Sequence, residues 1–569
     1  MTPHSLSRVT APRSRTFPPM ALALGAAFLF LGAGSARSQG RLTGSFDSNT
    51  IIYTADPVTH TEVSPDNRYG SMNYLKLDYG AKDWGAGLKM EYHPSVIKGF
   101  DASLKGGSLT GIYARWGKTL GGVKVEVTAG DFYEQFGSGI ALRSYEDREL
   151  GIDNSIGGAR IALSALEGAV RVKVLGGFPR YGIGSMLNSR TTTLLGGADL
   201  SVRLNDILGI DKENATLLPL FTLEGSFLNR HEGTVPSDIE ALSRAGGFSV
   251  PSDVLSTSAR LLVEKGPVSL SGEWVHKGRD LTSTHTLGSL LDWGLGDGDA
   301  LLLGASASIG NVSATLTGRQ LRNMEDRMFR TAGALTEGNT LNYLPSLCQM
   351  QTYLLAGLNP YTTLARGERG VQGDLYWRLP RRSALGGKYG MNIHIGGSYI
   401  WALPVALSNH DSPAMAYRDL NFDIEKKWSP ELRTVLFISI QENSPSHGQT
   451  SRTDAQNVFV LDGTYKFRGS PFSIHAELQY LYSQELTRDW MAGVLEVNFA
   501  PHWGLALSDM YNHGSTKVHY YSAMCSYSQG ALRAELSFGR NREGMVCSGG
   551  VCRFRPAYTG GQLTIKYSF

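Results

Sequence analysis

Apolar and polar residues alternate one by one along most of this chain. From Gly561 to Phe569, Leu563, Ile565, Tyr567 and Phe569 fall on one face and Gln562, Thr564, Lys566 and Ser568 on the other. That is the period of two required by a strand with one apolar face. Trp84, Ala86, Leu88, Met90 and Tyr92 stand against Lys89 and Glu91, and Val123, Val125 and Val127 against Lys124 and Glu126. Further on, Phe472, Ile474, Ala476, Leu478 and Tyr480 alternate with Ser473, His475, Glu477 and Gln479. Leu532, Ala534, Leu536 and Phe538 alternate with Arg533, Glu535 and Ser537. Strand follows strand without a helical period between them, which predicts an all-β fold.

The links sharpen the fold class. Short ones at 82–83, 119–122, 166–168, 265–267, 310–311, 429–431, 468–471, 501–502 and 528–530 alternate with long ones. The long ones include 55–69, 95–106, 136–155, 230–252, 278–298, 324–371, 442–455 and 539–557. Links 206–214 and 380–387 are long for their place, and 483–488 and 512–516 short for theirs, yet the order survives. Barrels of bacterial outer membranes join strands by short periplasmic turns and long external loops in turn. A soluble sandwich has no reason to do so. The expected architecture is a transmembrane antiparallel β-barrel of about 24 strands with both termini periplasmic.

Composition agrees. Hydrophobic residues make up 41% of the 569, and mean hydropathy is −0.16, because lumen-facing polar residues dilute lipid-facing apolar ones on every strand. The 68 glycines and 25 tyrosines suit tight turns and an aromatic belt. No proline-rich run, charge block or low-complexity tract divides the chain, so residues 39–569 read as one barrel. A net charge of +3 without a basic cluster leaves nothing to follow a phosphate backbone, and nucleic acid is not an expected partner.

The two ends address the chain. Arg8, Arg13 and Arg15 precede an apolar run from Met20 to Gly34 and the small-residue segment Ser35 to Ser38, the order of a secretory signal peptide over residues 1–38. The run is shorter than the roughly 20 residues of a spanning helix. At the other end, the alternation closing on Tyr567 and Phe569 resembles the signal by which bacterial barrel-assembly machinery takes up its clients. Together these predict export through the periplasm and residence in outer-membrane lipid.

If the apolar sets face lipid, the opposite sets line the lumen. The basic members are Lys76, Lys89, Lys124, Arg171, Lys173, Arg260, Arg533 and Lys566; the acidic ones are Asp78, Glu91, Glu126, Glu264, Glu273, Glu477 and Glu535. Mixed signs suit a hydrated lumen with little ion preference, since selectivity usually comes from rings of one sign. The alternative is that these charges pair across neighbouring strands and only solvate the wall.

Two loops stand out. The third external loop carries Phe136-Gly137-Ser138-Gly139, then Arg143, Glu146, Asp147, Arg148, Glu149, Asp153 and Asn154. General porins fold the loop at this ordinal position inward as a constriction; a solvated external loop is the alternative. Phe136 to Gly139 is no phosphate loop, since no Gly-Lys-Ser/Thr follows. The longest loop, 324–371, holds Tyr343, Leu344, Leu347, Tyr353, Leu354, Leu355 and Tyr361, too apolar for a loop wholly in water. It is expected to cap the barrel, plug its lumen or receive a partner, the plain alternative being a small self-packed loop.

Cys547 and Cys552 read as a disulfide closing the last external loop, with Cys348 and Cys525 free. No Gly-x-Ser-x-Gly elbow or zinc signature stands out, and the 13 histidines are scattered. No catalytic residue, metal or cofactor is therefore expected. His475, on the inner face, reads as a lumen side chain and not as a base.

The block Gly130-Asp131-Phe132-Tyr133-Glu134-Gln135-Phe136-Gly137-Ser138-Gly139, continuing through Arg143 to Arg148 and Gly151 to Asn154, resembles a family of uncharacterised Bacteroidota outer-membrane barrels. The resemblance implies a barrel and a location, and brings no catalytic residues. The chain departs from TonB-dependent transporters, whose plug of more than a hundred residues precedes the barrel, and from fatty-acid channels, which begin with a hatch. The expected function is a passive channel for small solutes. The alternative is a receptor, adhesin or scaffold that engages surface or periplasmic proteins through its long loops.

Overall fold

A sheet whose every strand is apolar on one side hides that side from water in a protein core or in lipid. Closing the sheet on itself turns it outward. The computed structural model, which describes residues 40–183, 191–210, 218–283, 293–330, 340–404, 414–444, 452–485, 488–548 and 551–569, is closed in this way. Twenty-four antiparallel strands form one sheet. The first, Arg41–Tyr53, pairs with Tyr69–Gly80 on one side and with Tyr558–Ser568 on the other. Beyond that strand, the backbone N–H of Phe569 donates to Gly44 O at 2.9 Å and its carbonyl accepts from Gly44 at 2.8 Å. The expected signal peptide, residues 1–38, lies outside the described residues.

The alternation decides which residues face where. Leu163, Leu261, Leu303, Leu478 and Leu536 stand exposed on the outer face. At the end of the short links, Phe472, Phe499, Trp503 and Tyr527 are cross-strand neighbours on four successive strands, and Trp84 faces Trp116. Such a girdle marks the interface level of a transmembrane barrel. No helix among the described residues is long and apolar enough to cross a membrane.

Short and long links alternate around the ring, as the sequence predicts. The loop expected over 278–298 is shorter, because Val268–Ser283 and Trp293–Ile309 both continue into it. A register shift between Lys277 and Asp280 lets the strand carry on through this polar stretch. The last external loop is likewise not irregular throughout: the preceding strand runs to Asn541, and Gly544–Ser548 pairs with Val551–Arg555. That hairpin sets Cys547 opposite Cys552 in the backbone register; their side chains lie outside the described set.

The packed core of this molecule is inside the lumen. Inward residues of the wall, Leu175, Leu195 and Leu228, cluster with Phe136, Leu142, Met328 and Leu341 from the two long loops. Across the barrel, Leu355, Ala356 and Leu358 pack on Phe437, Val458, Leu481 and Trp490.

Candidate functional site

The third external loop, 133–155, turns inward. It folds as two small hairpins, Gln135–Phe136 with Leu142–Arg143 and Glu146–Asp147 with Ile152–Asp153. Gly137 enters so close to the wall that a methyl group there would collide with Arg260 and Glu273, and its φ is +54°. Only glycine meets both conditions at low cost. Ser138 N–H donates to Glu273 at 3.1 Å. On the opposite side Arg148 pairs with Asp47 on the first strand and lies over the Tyr74 ring. The loop therefore reaches from one flank of the lumen to another, and the solvated-loop alternative does not hold.

The longest loop, 323–366, completes the structure. Arg143 N–H donates to Leu341 O, and Tyr343 N–H to Gly139 O, each at 2.9 Å. Asn154 Nδ2 donates to Thr340 O at 3.2 Å. The two loops thus form one stopper. Its apolar residues seat against the inner wall: Leu347 and Tyr361 pack with Ile400 and Tyr417, and Ile140 and Ala141 with Val275 and Leu321. The apolar content of 324–371 serves the lumen, as one of the three expectations for it had it.

Charge holds the stopper as well. Lys89 pairs with Glu146, and Arg148 Nε donates to the same carboxylate at 2.7 Å. Burial raises the Glu146 carboxyl, but Lys89 and Arg148 outweigh it and hold it at about 2. Burial likewise raises Glu134, and its hydrogen bonds from Lys173, at 2.8 Å, and Arg160 bring it below its ordinary value. The fully buried Arg180 donates to Asp153 Oδ2 at 2.6 Å. There desolvation prevails and the Asp153 carboxyl is raised. At the root of the longest loop Arg230 pairs with Asp280 and lies 3.6 Å from Asp326, while Arg330 Nε is 3.1 Å from Asp280. Buried charge of this kind is tolerated only when paired.

Not all residues expected to form a constriction take that part. Arg143 stacks over Tyr343. Asp147 accepts the backbone N–H groups of Glu149 and Leu150 in a turn, and Glu149 offers its carbonyl to Arg553.

The expected lumen residues divide by depth. Glu91, Arg260 and Glu273 are buried under the stopper. Lys124 and Arg533, near the short links, remain 62% and 63% exposed. Lys76 with Asp78, Lys124 with Glu126 and Arg533 with Glu535 pair along their own strands, two residues apart, and not across to neighbours. Arg533, Glu535, Thr564 and Lys566 line a cleft of about 210 Å³. Arg171 reaches Ser201 at 3.4 Å. The lumen is packed toward the long loops and open toward the short ones.

Residues 19–569 match one protein family. The chain belongs to DUF6029, a family of unknown function. No curated protein matches it. Among solved structures it is similar to the P pilus usher (PapC) translocation pore, at 10% identity and TM-score 0.43, covering 93% of this chain and 99% of that one. It is similar also to the siderophore receptor PirA from Pseudomonas aeruginosa, at 10% identity, TM-score 0.39, and 94% and 81% coverage. The copper transporter OprC gives 8% identity, TM-score 0.41, and 94% and 81% coverage.

Sequence reasoning placed His475 and Glu477 on the inner face but passed over the other members of an acidic sector of the wall below the stopper. Asp374 and Asp423 flank His394 at 2.9 and 2.6 Å. Asp462, Glu477 and Glu496 surround His475. Asp462, His475 and Glu477 bring their ligand atoms within 4.8 Å of one another, a grouping able to hold a metal ion. Inward parity on each strand was the available signal.

Proposed function

We propose that this family member is an outer-membrane channel for small solutes whose outer half is stoppered by its own loops 133–155 and 323–366, so that conduction is gated and not continuous. The observation that carries the reading is the asymmetry of the lumen: the same inner wall is buried and packed at one end and charged and exposed at the other. A closed vestibule of mixed charge suits small hydrated solutes more than one tightly chosen ligand. The burial of Leu347, Leu355 and Tyr361 inside the barrel weighs against the rival reading, in which this loop presents them to a partner. Export by a signal peptide and insertion by the assembly machinery belong to the same proposal, as does the absence of a catalytic step.

Planar-bilayer recording of the purified chain tests it. The wild type should be mostly closed with brief openings, and a variant with residues 340–364 replaced by a short Gly-Ser linker should conduct steadily. A linker variant that runs as a folded barrel on unheated gels and still forms no pore would overturn the reading.

A further inference from the structure

We propose that Asp462, His475 and Glu477 form a binding site for a first-row divalent cation of the zinc type, set in the wall directly beneath the stopper. Asp462 lies on the strand Asp454–Lys466, His475 and Glu477 on the neighbouring Phe472–Tyr482. The proposal stands apart from the conduction reading, because a lumen site binds its ion whether or not the barrel opens.

The hydrogen bonding around each donor carries the argument. A neutral imidazole has one N–H and one lone pair. Glu496 Oε2, on the next strand, lies 3.2 Å from His475 Nδ1. Asp462 Oδ1 and Glu477 Oε1 lie 3.1 and 3.5 Å from Nε2. With the proton on Nδ1 donated to Glu496, the Nε2 lone pair and two carboxylate oxygens converge on one point. Three acceptors facing each other repel unless a cation sits between them.

Each acidic donor is also oriented from behind by a side chain outside the triad. Tyr353 of the longest loop donates its hydroxyl to Asp462 Oδ2 at 3.2 Å, and Gln479 donates to Glu477 Oε2 at 2.7 Å. The remaining oxygens, Oδ1 and Oε1, are the ones turned toward Nε2. Outer partners that fix each ligand's free atom are the usual support of a metal site. One imidazole with two carboxylates suits zinc, manganese or iron more than calcium, which takes only oxygen. His394 provides the contrast. Each of its nitrogens faces a single carboxylate, a geometry that protonation alone satisfies.

The folded full-length chain in detergent, stripped with a chelator, is titrated with Co²⁺ and followed by visible absorption, then with Zn²⁺ by calorimetry. One equivalent should bind with ligand-field bands. His475→Ala should abolish the bands, and Glu496→Gln should weaken binding by roughly 10- to 100-fold. His394→Ala should leave both signals unchanged. Unheated gel migration reports folding of each variant, and Glu477→Gln serves if His475→Ala does not fold. A folded wild type that gives no bands and no heat, or bands that persist in His475→Ala, would overturn the site.

Discussion

The guanidinium of Arg143 lies 3.7 Å from the centroid of the Tyr343 ring, and this contact joins two loops two hundred positions apart in the chain into one body. A desolvated cation–π pair is worth up to about 2 kcal/mol. Arg143→Ala should leave the barrel folded and raise the frequency of openings in single-channel records, and Arg143→Lys should restore part of the closed population. Unchanged gating in Arg143→Ala would show that the backbone bonds between the loops suffice.

Acid should loosen the same body through Glu146. Its carboxyl is held down at about 2 against an ordinary 4.5. A lowered folded value means stabilisation that is complete above about 4.5 and lost as pH falls toward 2. Openings should therefore increase across that window. Glu146→Gln should open more at neutral pH and respond less to acid. Identical pH profiles for the two proteins would exclude Glu146 as the responsive group.

Arg230→Met should be among the costliest single changes in the chain. It takes the Arg230 cation from buried Asp326 and leaves Asp280 to Arg330 alone, a loss of roughly 3–5 kcal/mol. The temperature at which the folded band disappears on gels should drop. Asp280→Asn beside it should recover part of the loss. A melting temperature equal to the wild type would mean that water reaches this cluster.

Thiol counting checks the cysteines. The denatured, unreduced chain should expose two thiols and the reduced chain four, if Cys547 and Cys552 are joined. Cys348 and Cys525 are free. In the folded protein Cys348 should resist alkylation at neutral pH, since burial pushes its thiol up to about 12.

Leu355 tests the seat of the stopper on the far wall. It is wholly buried beside Trp490 and Val458. Leu355→Ala should cost about 2–5 kcal/mol of seating, seen as longer openings with an unchanged barrel melting temperature.

The barrel was legible because its signals are local: alternation lies within each strand, and the length of a link lies between two. Arg230 and Asp280 were placed in external loops, since polar stretches there break the alternation before the strands end. The stopper was legible only as two suspicious loops. Contacts such as Arg143 with Tyr343 leave no trace in either segment taken alone. His475 was set correctly on the inner face. The carboxylates around it come from neighbouring strands, whose register no single strand encodes.

Of all the pairings in the sheet, one joins strands remote in the chain, Arg41–Tyr53 with Tyr558–Ser568; the others join sequence neighbours. Contacts between neighbours form with little loss of chain entropy, and distant ones slowly. Hairpins between chain neighbours thus make up the rest of this cylinder, and a single long-range seam closes it. Until that seam closes, both outermost strands carry unpaired amides that invite mispairing with other chains.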